Sequence, residues 1–250
     1  MLRLPQRLQG RRLRISDCAV RGSLPARVSY QSPPRGRLAM AQIVLADDGI
    51  EFDGDSPSKG PLGGVESSVV NLCRELAARG HLVHVRNMCR EAKSIDGVDW
   101  APLAQGLPDS ADLYIANRGD KLITRMPNAQ RTVFWIHNPA RYLMKWRYLS
   151  KLWQVKPAII FIGDYHATTY PAWAPGGERI VIPYGIETVF RDVAPFEQTP
   201  PPRAIFTSNP LRSLDWLLDI WAHDIRPKVP DGELHVFSGA VTYGKVGDGK

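Results

Sequence analysis

Apolar positions fall into short blocks separated by polar and glycine-rich stretches, from residue 42 to residue 237. Ile43-Val44-Leu45-Ala46 is a continuous apolar run closed by Asp47-Asp48-Gly49, the pattern of a buried strand followed by a loop. Residues 65–79 change period. Val65, Val69, Leu72, Cys73 and Leu76 recur every three or four positions and predict one face of an amphipathic helix. Gly80 is placed as its C-terminal stop, and residues 82–86 read as the next strand. Strand, helix and strand within about forty residues make a βαβ unit, which implies a parallel sheet and an α/β class. The rhythm repeats at residues 112–116, 132–136, 158–162 and 179–183. These runs are short and rich in branched side chains, as buried parallel strands are. The first folded region therefore reads as a Rossmann-like domain over residues 40–186.

After Pro183 the pattern breaks. Residues 187–202 are proline-rich and read as a linker. A second α/β start follows over residues 203–250, with a strand at 203–207, a polar turn, a helix over 214–225 and a strand at 234–237. One such unit is too small a core for a domain, so the second domain is expected to be incomplete.

Charge changes the picture only at the start. Of the net +7, residues 1–39 contribute nine arginines against the single acid Asp17, while the remainder holds 23 basic and 24 acidic side chains. With the folded part nearly neutral, the basic net charge is no evidence of nucleic-acid binding by that part, and no nucleic-acid partner is expected. The arginine-rich segment cannot bury enough apolar surface to offset ordering entropy and is expected to be disordered. It reads as a tail without function, with Met40 as the true start. A transit peptide and a nucleic-acid- or membrane-binding arm are the rival readings. Three cysteines with no CxxC fit a reducing, cytoplasmic setting. His84, His166, His223 and His235 show no metal-ligand spacing.

Three places carry candidate chemistry. Gly63-Gly64 open the helix. Without Cβ atoms they let backbone amides approach an anion at the positive helix end. Glu66 in the same first turn reads as a favourable partner of its own helix dipole. His137 follows an apolar strand, at the end where ligands gather in open parallel sheets. Arg212 sits in the polar turn of the second unit and suits a phosphate.

The order of these features resembles the retaining, nucleotide-sugar-dependent glycosyltransferases of the GT-B architecture, family four. The matching stretches are Gly63-Gly64-Val65-Glu66, Leu76-Ala77-Ala78-Arg79-Gly80-His81 and Trp135-Ile136-His137-Asn138. Ile182-Pro183-Tyr184-Gly185-Ile186-Glu187 and Thr207-Ser208-Asn209-Pro210-Leu211-Arg212-Ser213-Leu214-Asp215 complete the set. The resemblance implies two Rossmann-like halves, with the acceptor handled by the first and the nucleotide-diphosphate sugar bound by the second. The donor is then a substrate, and neither a cofactor nor a metal is implied. It also implies roles: Gly63 and Gly64 approach the diphosphate, His137 stands at the cleft as the catalytic candidate, and Arg212 replaces a usual lysine at the phosphates. Asn209 stands where an arginine is common, Ser213 where a glycine is, and Tyr184 where an asparagine is. The family's late paired glutamates have no counterpart here, which leaves the activity of the chain alone in question.

The implied partners are a nucleotide sugar and a glycan or other hydroxyl acceptor. Two alternatives stand beside this reading. One is a glycan- or partner-binding remnant without turnover. The other is a dinucleotide oxidoreductase, weakened by the lack of G-x-G-x-x-G after the first strand. Residues 141–153 interleave bases and aromatics, with Tyr142, Trp146, Leu149 and Trp153 expected on one face. Packing of that face on the sheet is favoured over a peripheral membrane helix, because any helix covering a sheet looks amphipathic.

Overall fold

The computed structural model describes residues 40–186, 190 and 202–237. The arginine-rich segment 1–39, most of the linker and residues 238–250 lie outside the described residues.

Residues 40–186 form an eight-stranded sheet with helices on both faces. Strand β1 (Gln42–Asp47) leads through a helical turn, α1 (Ser56–Lys59), to helix α2 (Gly64–Ala78). β2 (Leu82–Asn87), β3 (Lys93–Ile95), β4 (Val98–Pro102), β5 (Ala111–Asn117) and β6 (Ala129–Trp135) follow. Helix α3 (Trp146–Val155), β7 (Ala158–Phe161), α4 (Asp164–Thr168) and β8 (Arg179–Val181) complete the unit. The strand order is β3-β4-β2-β1-β5-β6-β7-β8. Every neighbouring pair is parallel except β3 with β4. The α/β class with a largely parallel central sheet is as the periodicity predicts.

The β3–β4 hairpin is not foreseen in the sequence reading. Its turn is Asp96-Gly97, with φ of 52° and 77°. Positive φ at both central residues is what a two-residue hairpin needs to match strand twist. Gly80, with φ of 89°, ends α2 as expected, and the Gly80 N–H bonds the Ala77 carbonyl at 2.9 Å.

Side-chain alternation divides the core between the two faces. Val44, Ala46, Tyr114, Ala116, Phe134, Ile159 and Phe161 point to the face covered by Leu143, Tyr148 and Leu152. Ile43, Leu45, Ile115, Trp135 and Ile160 point to the other, against Val69, Val70 and Cys73 of α2. Burial pushes the Cys73 thiol up to about 12, so it is an inert core group. Central strands covered on both faces explain why the sequence shows unbroken apolar runs there.

Helix α3 packs on the sheet through Tyr148 and Leu152, not through the expected stripe. Tyr148 meets the Phe134 ring at 6.4 Å and the Tyr142 ring at 5.2 Å, and this aromatic cluster sets the rotation of the helix. Trp146 and Trp153 consequently face outward.

Residues 202–237 form β9 (Arg203–Phe206), α5 (Leu214–Ile220) with a π turn at Trp221–Ile225, and β10 (Glu233–Val236). The two strands pair in parallel, as expected of a βαβ start. No described residue of this piece is buried. No described helix is long and apolar enough to cross a membrane.

Candidate functional site

The site begins with strand register. Parallel pairing sets Asp47, the last residue of β1, directly beside Asn117, the last residue of β5, which in turn sits beside Trp135 at the end of β6. β1 and β5 are neighbours although the chain leaves β1 toward β2 and returns to β5 from the far side. Such a reversal leaves a crevice beyond the strand ends, the usual ligand position in open α/β sheets. Ile43, Leu45, Ile115 and Trp135 share the α2 face of the sheet. Asp47 and Asn117 alternate onto that same face, within reach of the first turn of α2.

Hydrogen bonds join these side chains into one line. Asp47 is fully buried and accepts from Asn117 Nδ2 and from the Gly49 N–H at 2.7 Å. It also accepts from Arg118, through Nε at 3.1 Å and Nη2 at 3.0 Å. The same Nη2 donates to Glu66 Oε1 at 2.8 Å. With Asn117 Nδ2 committed to the carboxylate, its Oδ1 faces His137 Nε2 at 2.6 Å, so Nε2 carries the hydrogen. His137 Nδ1 is then an acceptor, and the Tyr184 hydroxyl donates to it at 2.6 Å.

Electrostatics agree with that assignment. Burial, reinforced by the positive charge of Arg118 and then by the neighbouring His166 ring, lowers the His137 pKa from 6.5 to about 3. The ring is neutral at physiological pH. Burial, with the nearby Glu66 charge, raises the Tyr184 phenol, which stays protonated and able to donate. The His137 ring stacks on Tyr184, with centroids 5.9 Å apart and planes 12° apart, and meets Trp135 at 4.8 Å. The buried Trp135 Nε1–H has no partner among the described residues.

Backbone geometry holds the arginine in place. Arg118 has φ of 53°, a left-handed conformation that costs a non-glycine residue about 1 kcal/mol. It folds the guanidinium back over Asp47. A methyl group at Gly49 would land on that guanidinium, so the loop after β1 needs glycine for the close approach.

Beside the cluster lies a cavity of about 420 Å3 whose walls include Asp48, Gly49, Arg118, Asp120, Tyr142 and Tyr148. Burial, and then the neighbouring Asp47 charge, raises the Asp48 pKa. A second cavity, of about 350 Å3, lies near Phe52, Asp53, Lys59 and Cys89. Among the described residues no group of three or more His, Cys, Asp or Glu side chains is placed to hold a metal ion.

The residues singled out from sequence fall into two groups. His137 lies at the centre of the line. Gly63 is the N-cap of α2, and the Glu66 carboxylate folds back over the space a side chain there would take. Glu66 is thus more than a dipole partner, because it also ion-pairs with Arg118. Gly64 is exposed, with no atom within 4 Å of the space a side chain would occupy. Arg212 is exposed, and its N–H bonds the Asn209 carbonyl at 2.8 Å. Among the described residues no hydrogen bond or ion pair joins its side chain to the cluster.

Asp47, Asn117 and Arg118 escaped the sequence reading. Their signal is the one used for His137, a polar residue closing an apolar strand, in Ile43-Val44-Leu45-Ala46-Asp47 and Leu113-Tyr114-Ile115-Ala116-Asn117-Arg118. The chain matches no protein-family model and no curated protein.

Proposed function

We propose that this chain supplies the acceptor side of a nucleotide-sugar-dependent glycosyltransferase of the GT-B type, moving a sugar from a nucleotide diphosphate to a hydroxyl group. The reading is supported chiefly by the neutral His137, fixed at a strand end beside the point where the sheet order reverses. With Nε2–H fixed by Asn117, the neutral imidazole offers Nδ1 as an acceptor that can position a ligand hydroxyl once that hydroxyl takes the place of Tyr184. In the transfer, the bond between the anomeric carbon and the diphosphate oxygen breaks and its electron pair stays with the diphosphate. The acceptor oxygen bonds to the anomeric carbon, and its proton passes to the departing phosphate. Gly63, Gly64 and Arg212 are assigned to the diphosphate, where amides and a guanidinium offset the growing negative charge. The cavity walled by Asp48, Tyr142 and Tyr148 is assigned to the acceptor, since acids and aromatic rings suit a polyhydroxylated ligand better than an anionic one.

One observation favours binding without turnover. Both ring nitrogens of His137 are engaged, so a ligand reaches Nδ1 only by displacing the Tyr184 hydroxyl. A single experiment separates the readings. The purified chain is melted with a panel of nucleotide sugars, and nucleotide diphosphate release is followed with glycan acceptors. One donor is expected to raise the melting temperature, less so in Arg212→Ala. His137→Ala is expected to slow release on the order of a hundredfold. A melting shift without release supports the binding reading. Melting that ignores every nucleotide sugar removes the proposal.

A further inference from the structure

Helix α3 carries two aromatic faces, and the sheet takes only one. Tyr148 and Leu152 are buried in the core, while Trp146 and Trp153 are 75% and 67% exposed. Seven residues is close to two helical turns, so the indoles stand about 10 Å apart on one outward stripe. Residues 141–156 include Arg141, Lys145, Arg147, Lys151 and Lys156 and no acid. Lys151 is held by Asp120 at 2.6 Å, and Arg147 approaches the same carboxylate at 3.7 Å. Arg141, Lys145 and Lys156 are exposed, with no ion pair among the described residues. Residues 40–250 as a whole are almost neutral, so this is a local concentration of charge around two solvent-facing indoles.

We propose that this face of α3 docks on an anionic lipid bilayer. The indoles would enter the boundary between headgroups and acyl chains, and the basic side chains would meet lipid phosphates. Three arguments select that occupant. Indole rings, apolar with one polar N–H, favour the membrane interface over either bulk phase. Unpaired lysines and arginines beside such rings gain roughly fivefold in binding per charge near an anionic leaflet. The 10-residue helix is too short to span a bilayer, and it buries Tyr148 and Leu152 while exposing Trp146 and Trp153, the two-sided character of an interfacial helix. A second copy of the chain is disfavoured, because the same basic face would meet itself. The inference does not depend on sugar transfer.

The test sediments the full chain with vesicles of phosphatidylcholine alone or mixed with phosphatidylglycerol. Binding is expected on the anionic vesicles and is expected to weaken with added salt. The deciding variant is Trp146→Ser with Trp153→Ser, whose partition coefficient is expected to fall about tenfold with unchanged melting. Lys145→Gln with Lys156→Gln should lower binding severalfold on anionic vesicles only. The arginines of residues 1–39 can attract anionic lipid by charge alone, so equal binding by the tryptophan variant and the parent overturns the proposal. So does an absence of binding at low salt. A lipid-free dimer abolished by the tryptophan substitutions would assign the face to a second copy and overturn it as well.

Discussion

At the scale of single residues, Asp47 governs the site although no ligand could touch it. Its carboxylate orients Asn117, Asn117 fixes the His137 tautomer, and Arg118 offsets the charge while helping to keep the imidazole neutral. His137 was legible in the sequence because it closes an apolar run. Asp47 and Asn117 close apolar runs in the same way, but their partnership with His137 was not legible, because a sequence does not tell which strand ends become neighbours. The depressed pKa of His137 has a consequence for stability. Between about 3 and 6.5 the unfolded chain takes up a proton that the folded ring refuses. Stability present at neutral pH is therefore lost progressively as pH falls through that window. Urea unfolding followed across it is expected to show a flatter decline in His137→Gln than in the parent chain. An identical pH slope in both would show that His137 is not the group responsible.

At the scale of elements, period and punctuation located most of the main unit. The 3.6-residue repeat of α2, its stop at Gly80 and the branched runs of β1, β5 and β7 all appear within a residue or two of the expected bounds, while β6 begins three residues earlier than expected, at Ala129. The missed hairpin was written in Asp96-Gly97, a dipeptide whose turn preference is strong but whose flanking strands are too short to show alternation. Because Gly97 sits at φ of 77° and is exposed, Gly97→Ala is expected to cost about 1 kcal/mol. Faster amide exchange in β3, with β1 unaffected, would check it. The rotation of α3 was illegible for a different reason. Its sequence offers two apolar stripes, and only the fit of Tyr148 against Phe134 and Tyr142 decides which one faces inward.

At the scale of the whole molecule, the two described pieces differ in how well they are covered. Residues 40–186 hold two packed apolar layers on either side of the sheet, whereas no described residue of 202–237 is buried. Native-state hydrogen exchange is expected to protect β1, β5 and β6 to near the global unfolding limit and to leave β9 and β10 exchanging far faster. Equal protection in both would mean that residues 202–237 find cover elsewhere. The same contrast bears on how the chain meets its neighbours in a crowded solution. The large sheet ends in margins of three residues each, β3 and β8, which offer another chain little backbone to zip onto. Among the described residues the small sheet has two strands and so is all margin, and Ile205 and Phe237, 66% and 61% exposed, lie in or beside them. Precipitation of this protein should accordingly start from residues 202–237, and a lysine at position 205 is the simplest guard against it.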